Sequence, residues 1–527
     1  MKELILTVLL CVTAIQAASA QSIQWSESQK MAGRLSYIIP LGGSDFFTMS
    51  YKGMFGGSTY LNKHSQFLIT NSEKIQVKVP TGTGMMETLL MINGELVIFL
   101  SDRKDGENTI YLQKFKTNCL TNGAPEKIMS YKIPKGRRGN DYFGVVQSED
   151  LEFYAIYYQI PGKNETKDLY GYKVYDKEDV LVSEGEHELQ YDNDLVALTN
   201  KYLSNSGDFF VGANVFVPTG NKGLFKEKYA LDKVILMHVT PEGVNEVNLE
   251  MKVGKTLSDF TFSSDNNRLL TFTGLFGEKD NRYGGISGVF YFQLDFDKGE
   301  IIKEGWNKFD KDFITSEWSD RQKKRSARQE VKGKGKGTPT LFSYDVRETH
   351  TLNDGSLIGL IEQYYVHVVT TTDPKTGATR TTYYYHYNDI VAYKINTEGV
   401  FEWVTKIDKA QVSTNDGGYF SSFASYINDG ELNLIFNDNV KNYTETGVFI
   451  NEPKKFLGTS YRKNRAGAAK VTIDLENGKM EREIMFKRKE VAGFVVPKQF
   501  CIDEINQEVL LVIIESRKKI KFGLMKY

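Results

Sequence analysis

The sequence is poor in the residues that most often build metal centres and disulfide frameworks. Its 527 residues include 3 cysteines and 6 histidines. His187-Glu188 is not followed by the second histidine of a zinc-protease helix, and no stretch has the spacing of an EF-hand calcium loop. We therefore predict a protein without a metal site, and no motif points to a cofactor.

A charge excess of one sign is also missing. The chain has 66 Lys and Arg against 67 Asp and Glu, which gives a formal net charge of −1. A dedicated nucleic-acid binder normally carries a basic excess, so we expect no nucleic-acid partner. Beyond the N-terminus, no apolar run approaches the roughly 20 residues that span a bilayer. We therefore expect no stable membrane insertion of the processed chain.

The motifs of common catalytic sites are absent as well. Residues 284–288 approach a nucleophile elbow, but Ser287 stands one place too late. The alternating glycines of 333–337 lack the spacing of a phosphate-binding loop. Neither Cys119 nor Cys501 has a local catalytic signature. We assign no catalytic residue and favour a protein that is not an enzyme.

The N-terminus has the three parts of a secretory signal peptide. Lys2 supplies positive charge, residues 4–14 are apolar, and Ala18-Ser19-Ala20 forms a cleavage site. We expect a signal peptide at 1–20 and an exported chain at 21–527. Its location would be the periplasm or the extracellular space.

What the sequence has in abundance is a repeated turn and strand. A polar Gly, Asn or Asp turn followed by an apolar strand recurs at 92–99, 148–155, 205–210, 265–270, 353–358, 428–434 and 505–510. Asn-Gly and Asp-Gly pairs tolerate the positive φ of tight hairpins, so each copy predicts a hairpin turn. A further strand follows these turns, at 110–115, 169–175, 234–239, 288–294, 390–395, 469–474 and 521–527.

The repeat predicts an all-β fold, a single β-propeller. Aromatic and β-branched residues dominate the apolar set, and no long stretch has clean helical periodicity. Seven repeats favour seven blades. The stretch 46–79 either completes the last blade or makes an eighth, so eight blades are the alternative. We also expect a monomer, because a closed propeller leaves only short, protected sheet edges to pair with another chain.

Export would leave Cys119 and Cys501 in the mature chain. An oxidising compartment permits a disulfide between them, and ring closure would make the first and last blades neighbours. The alternative is two separate buried thiols, because cysteine is among the most buried residue types. The sequence leaves both arrangements open.

Residues 320–338 interrupt the repeat with a segment rich in Lys, Arg and Gly. The segment has almost no large apolar residues, so burial cannot offset the entropy lost on ordering it. We predict a flexible, solvated loop that is dispensable for folding. A basic contact arm for an anionic partner and a protease-sensitive site are the alternatives.

Residues 364–387 form a second insertion, in which two β-rich arms flank a Pro/Gly turn. The pattern predicts a long hairpin that projects beyond its blade. Aromatic faces stack on sugar rings or peptide side chains, and tyrosine adds a hydrogen-bonding tip. The binding residues that we predict are Tyr364, Tyr365, Tyr383, Tyr384, Tyr385 and Tyr387. The alternative is that these rings only shield the extension from water.

Alternation along the second arm separates its aromatic side chains into two faces. The tyrosines at 383, 385 and 387 share one face, and Tyr384 and His386 share the other. His367 lies on the first arm and could face His386. We expect both histidines to belong to a cross-strand aromatic ladder. A two-histidine metal site is the alternative, and it lacks a third ligand.

Several motifs cluster in the last third of the chain, at 387–395, Gly399, Trp403, 406–407, 409–411, 418–422 and 435–438. Together they resemble a group of uncharacterised secreted bacterial proteins with β-propeller-like repeats. The resemblance is weaker before this part of the chain. It implies an exported β-propeller and transfers no catalytic residue, because the group carries no established activity.

The leading interpretation is an exported, non-catalytic propeller that binds a protein or glycan partner. Propellers present loops around a central channel, and function resides on those loops. Two other interpretations stay open: a hydrolase or lyase acting on a glycan or peptide at the channel mouth, and a structural subunit of an envelope assembly. Buried side chains with shifted pKa values at the mouth would favour the enzyme, whereas an exposed aromatic patch would favour binding.

Overall fold

A computed structural model of the chain describes residues 23–53, 58–76, 78–132, 142–160, 162, 167–192, 195–222, 227–249, 254–264, 269–278, 285–316, 324, 339–452, 456–459, 465–504, 506–516 and 518–527. The expected signal peptide lies outside these residues. So does the basic segment 320–338, apart from Lys324. The signal peptide and the flexible loop therefore stay predictions.

Within the described residues, the strands form eight antiparallel sheets of at least four strands each. Sheet 1 contains β3 (Arg34–Gly42), β4 (Asp45–Lys52), β5 (Ser58–Ser65) and β6 (Leu68–Ile75). A two-stranded ribbon of β7 (Lys78–Val79) and β8 (Gly82–Thr83) follows. Sheet 2 contains β9 (Met85–Ile92), β10 (Glu95–Lys104), β11 (Glu107–Phe115) and β12 (Thr121–Lys132).

The next three sheets repeat this pattern. Sheet 3 contains β13 (Tyr142–Gln147), β14 (Phe153–Ile160), β15 (Lys167–Asp176) and β16 (Leu181–Asp192). Sheet 4 contains β17 (Val196–Leu203), β18 (Phe209–Lys222), β19 (Glu227–Thr240) and β20 (Gly243–Leu249). Sheet 5 contains β21 (Lys255–Ser264), β22 (Leu269–Glu278), β23 (Gly288–Asp295) and β24 (Glu300–Lys308).

Sheets 6 and 7 lie in the last third of the chain. Sheet 6 contains β25 (Tyr344–Thr351), β26 (Leu357–Thr372), β27 (Thr379–Ile395), β28 (Phe401–Ile407) and the short β29 (Gln411–Thr414). Sheet 7 contains β30 (Ala424–Asn428), β31 (Glu431–Asn439), β32 (Ala466–Asp474) and β33 (Met480–Lys487). Helices among the described residues are short: α1 (Lys311–Ile314), α2 (Arg488–Val491) and 3-10 turns at Val440–Asn442 and Pro497–Gln499.

Sheet 8 joins the two ends of the described chain. Its C-terminal strands are β34 (Phe494–Val495), β35 (Cys501–Asp503), β36 (Glu508–Ser516) and β37 (Lys519–Lys526). The N-terminal strands β1 (Ile23–Trp25) and β2 (Gln29–Lys30) both pair with β37, and Gln24 stands opposite Leu524. The fourth position of this sheet is therefore occupied by the beginning of the chain.

The turn motif joins the first strand of a sheet to the second. Asn93 and Gly94, between β9 and β10, have φ angles of 46° and 72°. Asp429 and Gly430, between β30 and β31, have φ angles of 47° and 78°. Positive φ at both central residues is the signature of the tight hairpin that Asn-Gly and Asp-Gly favour. The further strand of each repeat is the third strand of its sheet.

The first strands of successive sheets lie closest to one another. Contacts link β9 to β13, β13 to β17, β17 to β21 and β21 to β25, and β3 to β35. The second strands, such as β10 and β31, are buried along almost their whole length. The fourth strand β16 alternates between exposed and partly buried side chains, because only one of its faces packs inward.

Each sheet packs face to face on the next, and sheet 8 packs on sheet 1. Sheets 2 and 3 meet at Phe99 and Tyr154, and sheets 3 and 4 meet at Tyr172 and Phe209. The other interfaces are apolar clusters of the same kind. Phe46 of sheet 1 contacts Phe522 of sheet 8, with ring centroids 4.7 Å apart. The arrangement is all-β and propeller-like.

Eight repeated sheets suggest eight blades rather than the seven that we favour from the sequence. The difference arises at the N-terminus, where the stretch 46–79 supplies strands to a separate sheet 1. Sheet 8 takes its fourth strand from Ile23–Trp25 instead. The alternative of an eighth blade is therefore the one that the structure favours.

The structure leaves the two described cysteines as separate thiols. Cys119 follows β11 and is buried against sheets 1 and 2, whereas Cys501 begins β35. Because sheet 1 stands between sheets 2 and 8, ring order does not make these cysteines neighbours. Burial raises the pKa of each thiol to about 11. In the described part of the chain, no helix is long and apolar enough to span a membrane.

Candidate functional site

The hairpin of β26 and β27 is longer than the sheet that carries it. The pairing runs from Leu357–Ile395 at the base to Thr372–Thr379 at the tip. The next strand, β28, pairs with β27 only from Ile390 to Ile395, and β29 adds pairing at 384–387. Residues 370–381 at the tip are exposed. The hairpin therefore extends beyond sheet 6, as its sequence predicts.

The two faces of the hairpin divide the six predicted tyrosines. Cross-strand pairs place Tyr364, Tyr383, Tyr385 and Tyr387 on one face and Tyr365 and Tyr384 on the other. Tyr365 and Tyr383 are the most exposed, at 39% and 43%, whereas Tyr387 is only 6% exposed. Both faces are therefore partly open towards the tip and closed at the base.

The histidines of the hairpin stack on tyrosines. His386 lies 4.4 Å from Tyr365 between ring centroids, and His367 lies 6.0 Å from Tyr384. Burial lowers the pKa of His386, and the charge of His367 lowers it further. The aromatic ladder that we expect is present, but His367 stands opposite Tyr384 and His386 stands opposite Tyr365, so the two histidines do not face each other. No group of three or more metal-ligating side chains occurs among the residues that the structure describes.

At the base of the hairpin, two tyrosines meet two cations. The Arg347 guanidinium lies 5.2 Å from the ring centroid of Tyr364 and 5.8 Å from that of Tyr387. The Lys498 ammonium lies 4.1 Å from the Tyr387 centroid and donates a 2.8 Å hydrogen bond to Tyr387 Oη. Burial raises the pKa of Tyr387 above its ordinary range. Attraction between cations and ring faces holds this group together.

A buried ion pair lies behind these tyrosines. Lys409 Nζ donates to Glu362 Oε1 at 2.7 Å, and neither side chain is exposed. Arg347 Nε and Ser422 Oγ donate to the other carboxylate oxygen, at 3.0 and 2.8 Å. Gln411 Oε1 accepts from Lys409 at 3.2 Å. We call these five residues the Glu362 cluster.

The Glu362 cluster accounts for part of the motif pattern in the last third of the chain. Lys409 and Gln411 come from the segment 409–411, and Ser422 comes from 418–422. Gln411 Nε2 donates to the carbonyl of Asn437, which belongs to 435–438, at 2.9 Å. Motifs that are separate in the sequence therefore meet in one buried hydrogen-bond network between sheets 6 and 7.

A cavity of about 360 Å³ opens beside this network, and we call it the Lys498 cavity. Its polar lining is Arg347, Glu348, Tyr387, Ser422 and Lys498, and its apolar lining includes Phe423 and Phe500. The cavity lies where the first strands of sheets 6, 7 and 8 come together. A second cavity of about 320 Å³ shares Arg347 and is lined by Lys201 and Asp259.

The Lys498 ammonium group is held by two protein oxygen atoms. The residue is exposed, and its ammonium donates hydrogen bonds to Tyr387 Oη at 2.8 Å and to the carbonyl of Gly418 at 3.0 Å. Burial lowers the Lys498 pKa to about 8, Glu362 opposes this shift, and the charges of Arg347 and Lys409 reinforce it. The ammonium makes no ion pair within 4 Å among the described residues.

A serine, a histidine and a carboxylate near the Lys498 cavity have the residue types of a hydrolytic triad. His350 Nε2 lies 3.1 Å from Ser425 Oγ, and Ser425 Oγ also donates to Glu348. Glu348 therefore contacts the serine and the same ring nitrogen, at 3.7 Å, whereas a triad acid holds the opposite nitrogen. Ser425 is also only 1% exposed. This geometry does not support nucleophilic catalysis.

Comparisons with known proteins identify similar folds only. No family model matches the chain, and no curated protein matches it. The Dos1 propeller shares 9% identity over 97% of this chain and 96% of its own, with a TM-score of 0.41. The β-propeller domain of the Trilobed protease from Pyrococcus furiosus shares 10% identity over 72% of this chain and 96% of its own, with a TM-score of 0.29.

An enzyme of similar shape is the alpha-L-arabinanase of Penicillium chrysogenum complexed with arabinobiose. It shares 12% identity over 73% of this chain and 99% of its own, with a TM-score of 0.31. Likenesses this low assign neither an activity nor a ligand to this chain, and the functional argument rests on its own side chains.

Two of the tyrosines predicted from the sequence, Tyr364 and Tyr387, contact the cations at the base of the hairpin. The charged residues of this group were not predicted. Glu362 ends the apolar run 357–361, and a carboxylate at the end of such a run signals a buried charge that needs a partner. Arg347 and Lys498 carried no comparable signal. Their role depends on how strands of three different sheets come together.

Proposed function

We propose that this chain is an exported, non-catalytic propeller of eight blades that binds a protein or glycan partner through the hairpin of β26 and β27. The observation that carries the proposal is the hairpin itself, a paired extension with Tyr365 and Tyr383 open to solvent. Tyrosine offers a flat apolar ring and a polar tip, which suits either kind of partner.

The hairpin is also ordered before a partner arrives. Tyr365 is stacked on His386, and Tyr383 is held by a 2.9 Å hydrogen bond from its backbone N–H to the side chain of Asn415. The stacked ring of Tyr365 and the fixed backbone at Tyr383 therefore reduce the conformational entropy lost on binding. Asp373 fixes the tip, because its carboxylate accepts hydrogen bonds from the backbone N–H groups of Lys375 and Thr376.

The closed ring is part of the same proposal. Its support is the cycle of packed interfaces, together with the pairing of Ile23–Trp25 with the last strand. Export, with cleavage after residue 20, rests on the N-terminal sequence. The absence of a nucleic-acid partner rests on the charge balance, and the monomeric state rests on ring closure. N-terminal sequencing of the protein recovered from the culture should begin at Gln21.

The experiment compares two tyrosine variants. Tyr365→Ser with Tyr383→Ser removes the open rings of the hairpin, and Tyr51→Ser removes a ring of similar exposure, 42%, from sheet 1. Binding is measured on a glycan array and against purified envelope proteins. We expect the hairpin variant to lose its partner while its melting temperature barely changes, and the Tyr51 variant to bind normally. Unchanged binding with lowered stability would show that the hairpin rings are only structural.

A further inference from the structure

We propose that the Lys498 cavity is a separate binding site for a sugar acid, in which Arg347 and Lys498 hold the carboxylate and Glu348 accepts hydrogen bonds from hydroxyl groups. Nothing in this proposal depends on the hairpin tyrosines being a partner surface. It rests on the charges and hydrogen-bonding groups that converge on one cavity from sheets 6, 7 and 8.

Two cations reach the cavity with donors to spare. Arg347 is 27% exposed and uses Nε for Glu362. Its Nη2 is buried, has no hydrogen-bond partner among the residues that the structure describes, and lies 3.7 Å from the carboxylate of Asp345. The Lys498 ammonium has two protein acceptors for its three donors. A planar guanidinium and an ammonium that line the same cavity are suited to an oxyanion.

The surrounding acids favour an anion of single charge. Glu348 lines the cavity, and Asp345 lies beside Arg347. A phosphate group carries a charge of about −1.5 to −2 and would be repelled more strongly by these carboxylates than a carboxylate ligand would. The same acids disfavour an acidic peptide, which brings several negative charges. A ligand with one carboxylate and no other charge fits this combination of cations and acids best.

The rest of the cavity lining indicates the chemistry of the uncharged part of the ligand. Glu348 is 37% exposed, and its carboxylate can accept hydrogen bonds only from donors, which the hydroxyl groups of a sugar supply. Phe423 and Phe500 add apolar walls for the carbon face of a ring. A volume of about 360 Å³ lies in the range of small-molecule sites.

The test uses calorimetric titration of the full chain with four probes at neutral pH and low salt: D-glucuronate, D-glucose, acetate and tri-glutamate. We expect glucuronate to bind at least about tenfold more tightly than each of the others. If glucose bound as tightly as glucuronate, the cations would have no role in binding. If acetate bound as tightly as glucuronate, the sugar ring would have no role. Tighter binding of tri-glutamate would reassign the cavity to an acidic protein. No binding of glucuronate would overturn the proposal.

Matched variants locate the site. Lys498→Met keeps the length of the aliphatic chain and removes the charge, and we expect affinity for glucuronate to fall at least about tenfold. Lys479→Met, at an exposed turn of sheet 7, should change nothing. The hairpin variant Tyr365→Ser with Tyr383→Ser should also bind glucuronate normally. Loss of partner binding by the hairpin and loss of glucuronate binding by the cavity can therefore be distinguished.

A pH titration of the unaltered protein provides a second measurement. Lys498 faces Tyr387, Glu362, Arg347, Lys409 and Asp416, and its pKa is lowered to about 8. The ammonium loses its proton as the pH rises through 8, so affinity for glucuronate should fall between pH 7 and pH 9. Arginine stays protonated in this range, so Lys498→Arg should bind independently of pH there. A fall of the same size in Lys498→Arg would contradict the assignment.

Discussion

Replacing Glu362 by glutamine tests whether the buried ion pair stabilises the contact between sheets 6 and 7. Glutamine keeps the volume of the side chain and one oxygen for Lys409. It removes the negative charge that faces Lys409 and Arg347, at 2.7 and 3.0 Å. Its amide group would also point a donor at the donors Arg347 Nε and Ser422 Oγ.

The expected loss is large because Lys409 has no access to water. Its side chain is 0% exposed, and its other acceptors are the carbonyl of Tyr387, at 3.0 Å, and Gln411 Oε1. Breaking a buried pair from one side lowers the free energy of unfolding by about 3–5 kcal/mol, because a buried charge remains without compensation. Glu362→Gln combined with Lys409→Met removes both charges. We expect that pair of changes to be less destabilising than the sum of the single changes.

Urea titration followed by circular dichroism and tryptophan fluorescence measures these free energies, provided that the m-values agree among variants. The control is Glu184→Gln. This change breaks the pair of Glu184 with Lys173, whose side chains are 52% and 27% exposed. We expect less than about 1 kcal/mol there. The reasoning is refuted if Glu362→Gln lowers the free energy of unfolding no more than the control does. It is also refuted if the loss in the double variant equals the sum of the losses in the two single variants.

Three further predictions follow from the ends and the interior of the chain. Burial lowers the pKa of His64 to about 4, below its value in the unfolded chain, so the free energy of unfolding should fall by about 3 kcal/mol as the pH falls from 6.5 to 4. Urea titration at several pH values measures this fall, and His64→Gln should not show it. Trp25→Ala should lower the free energy of unfolding by about 2 kcal/mol, because its ring packs on Phe486 at 5.3 Å; no loss would contradict the pairing of Ile23–Trp25 with sheet 8. Mass spectrometry after alkylation without reductant should find Cys119 and Cys501 modified in denaturant and nearly unmodified in the native protein; a disulfide-linked peptide would contradict the separate thiols.

The sequence predicts the repeats well where a turn carries its own signal. Asn93-Gly94 and Asp429-Gly430 demand positive φ, so their hairpins could be located without a structure. The corresponding turn of sheet 1 is Gly42-Gly43, which precedes β4 and lacks the Asn or Asp of the other copies. The strand Ile23–Trp25 is three residues long, and its partner lies at the other end of the chain. No local pattern could reveal that pairing.

Some residues of the candidate site could also be predicted from the sequence, and others could not. The composition of 364–387 pointed to the tyrosines, and alternation placed them on the correct faces of the hairpin. Alternation does not show which end of a hairpin is covered, so the burial of Tyr387 among cations was not predictable. Arg347 and Lys498 come from sheet 6 and from the segment before β35, and only packing between sheets brings them to one cavity.

The most direct test of the proposed function is partner binding by a chain with a shortened hairpin. His367 and Tyr384 stand opposite each other, so residues 368–383 can be replaced by Asn-Gly with the register preserved. Tyr365→Ser removes the remaining open ring in the same variant. We predict a circular dichroism spectrum that keeps its β-sheet form and a melting temperature that falls only slightly, because the hydrogen bonds between Tyr383 and Asn415 are lost. We also predict loss of the glycan or protein that the full-length chain binds. Binding of that partner with undiminished affinity would contradict the assignment of recognition to the hairpin.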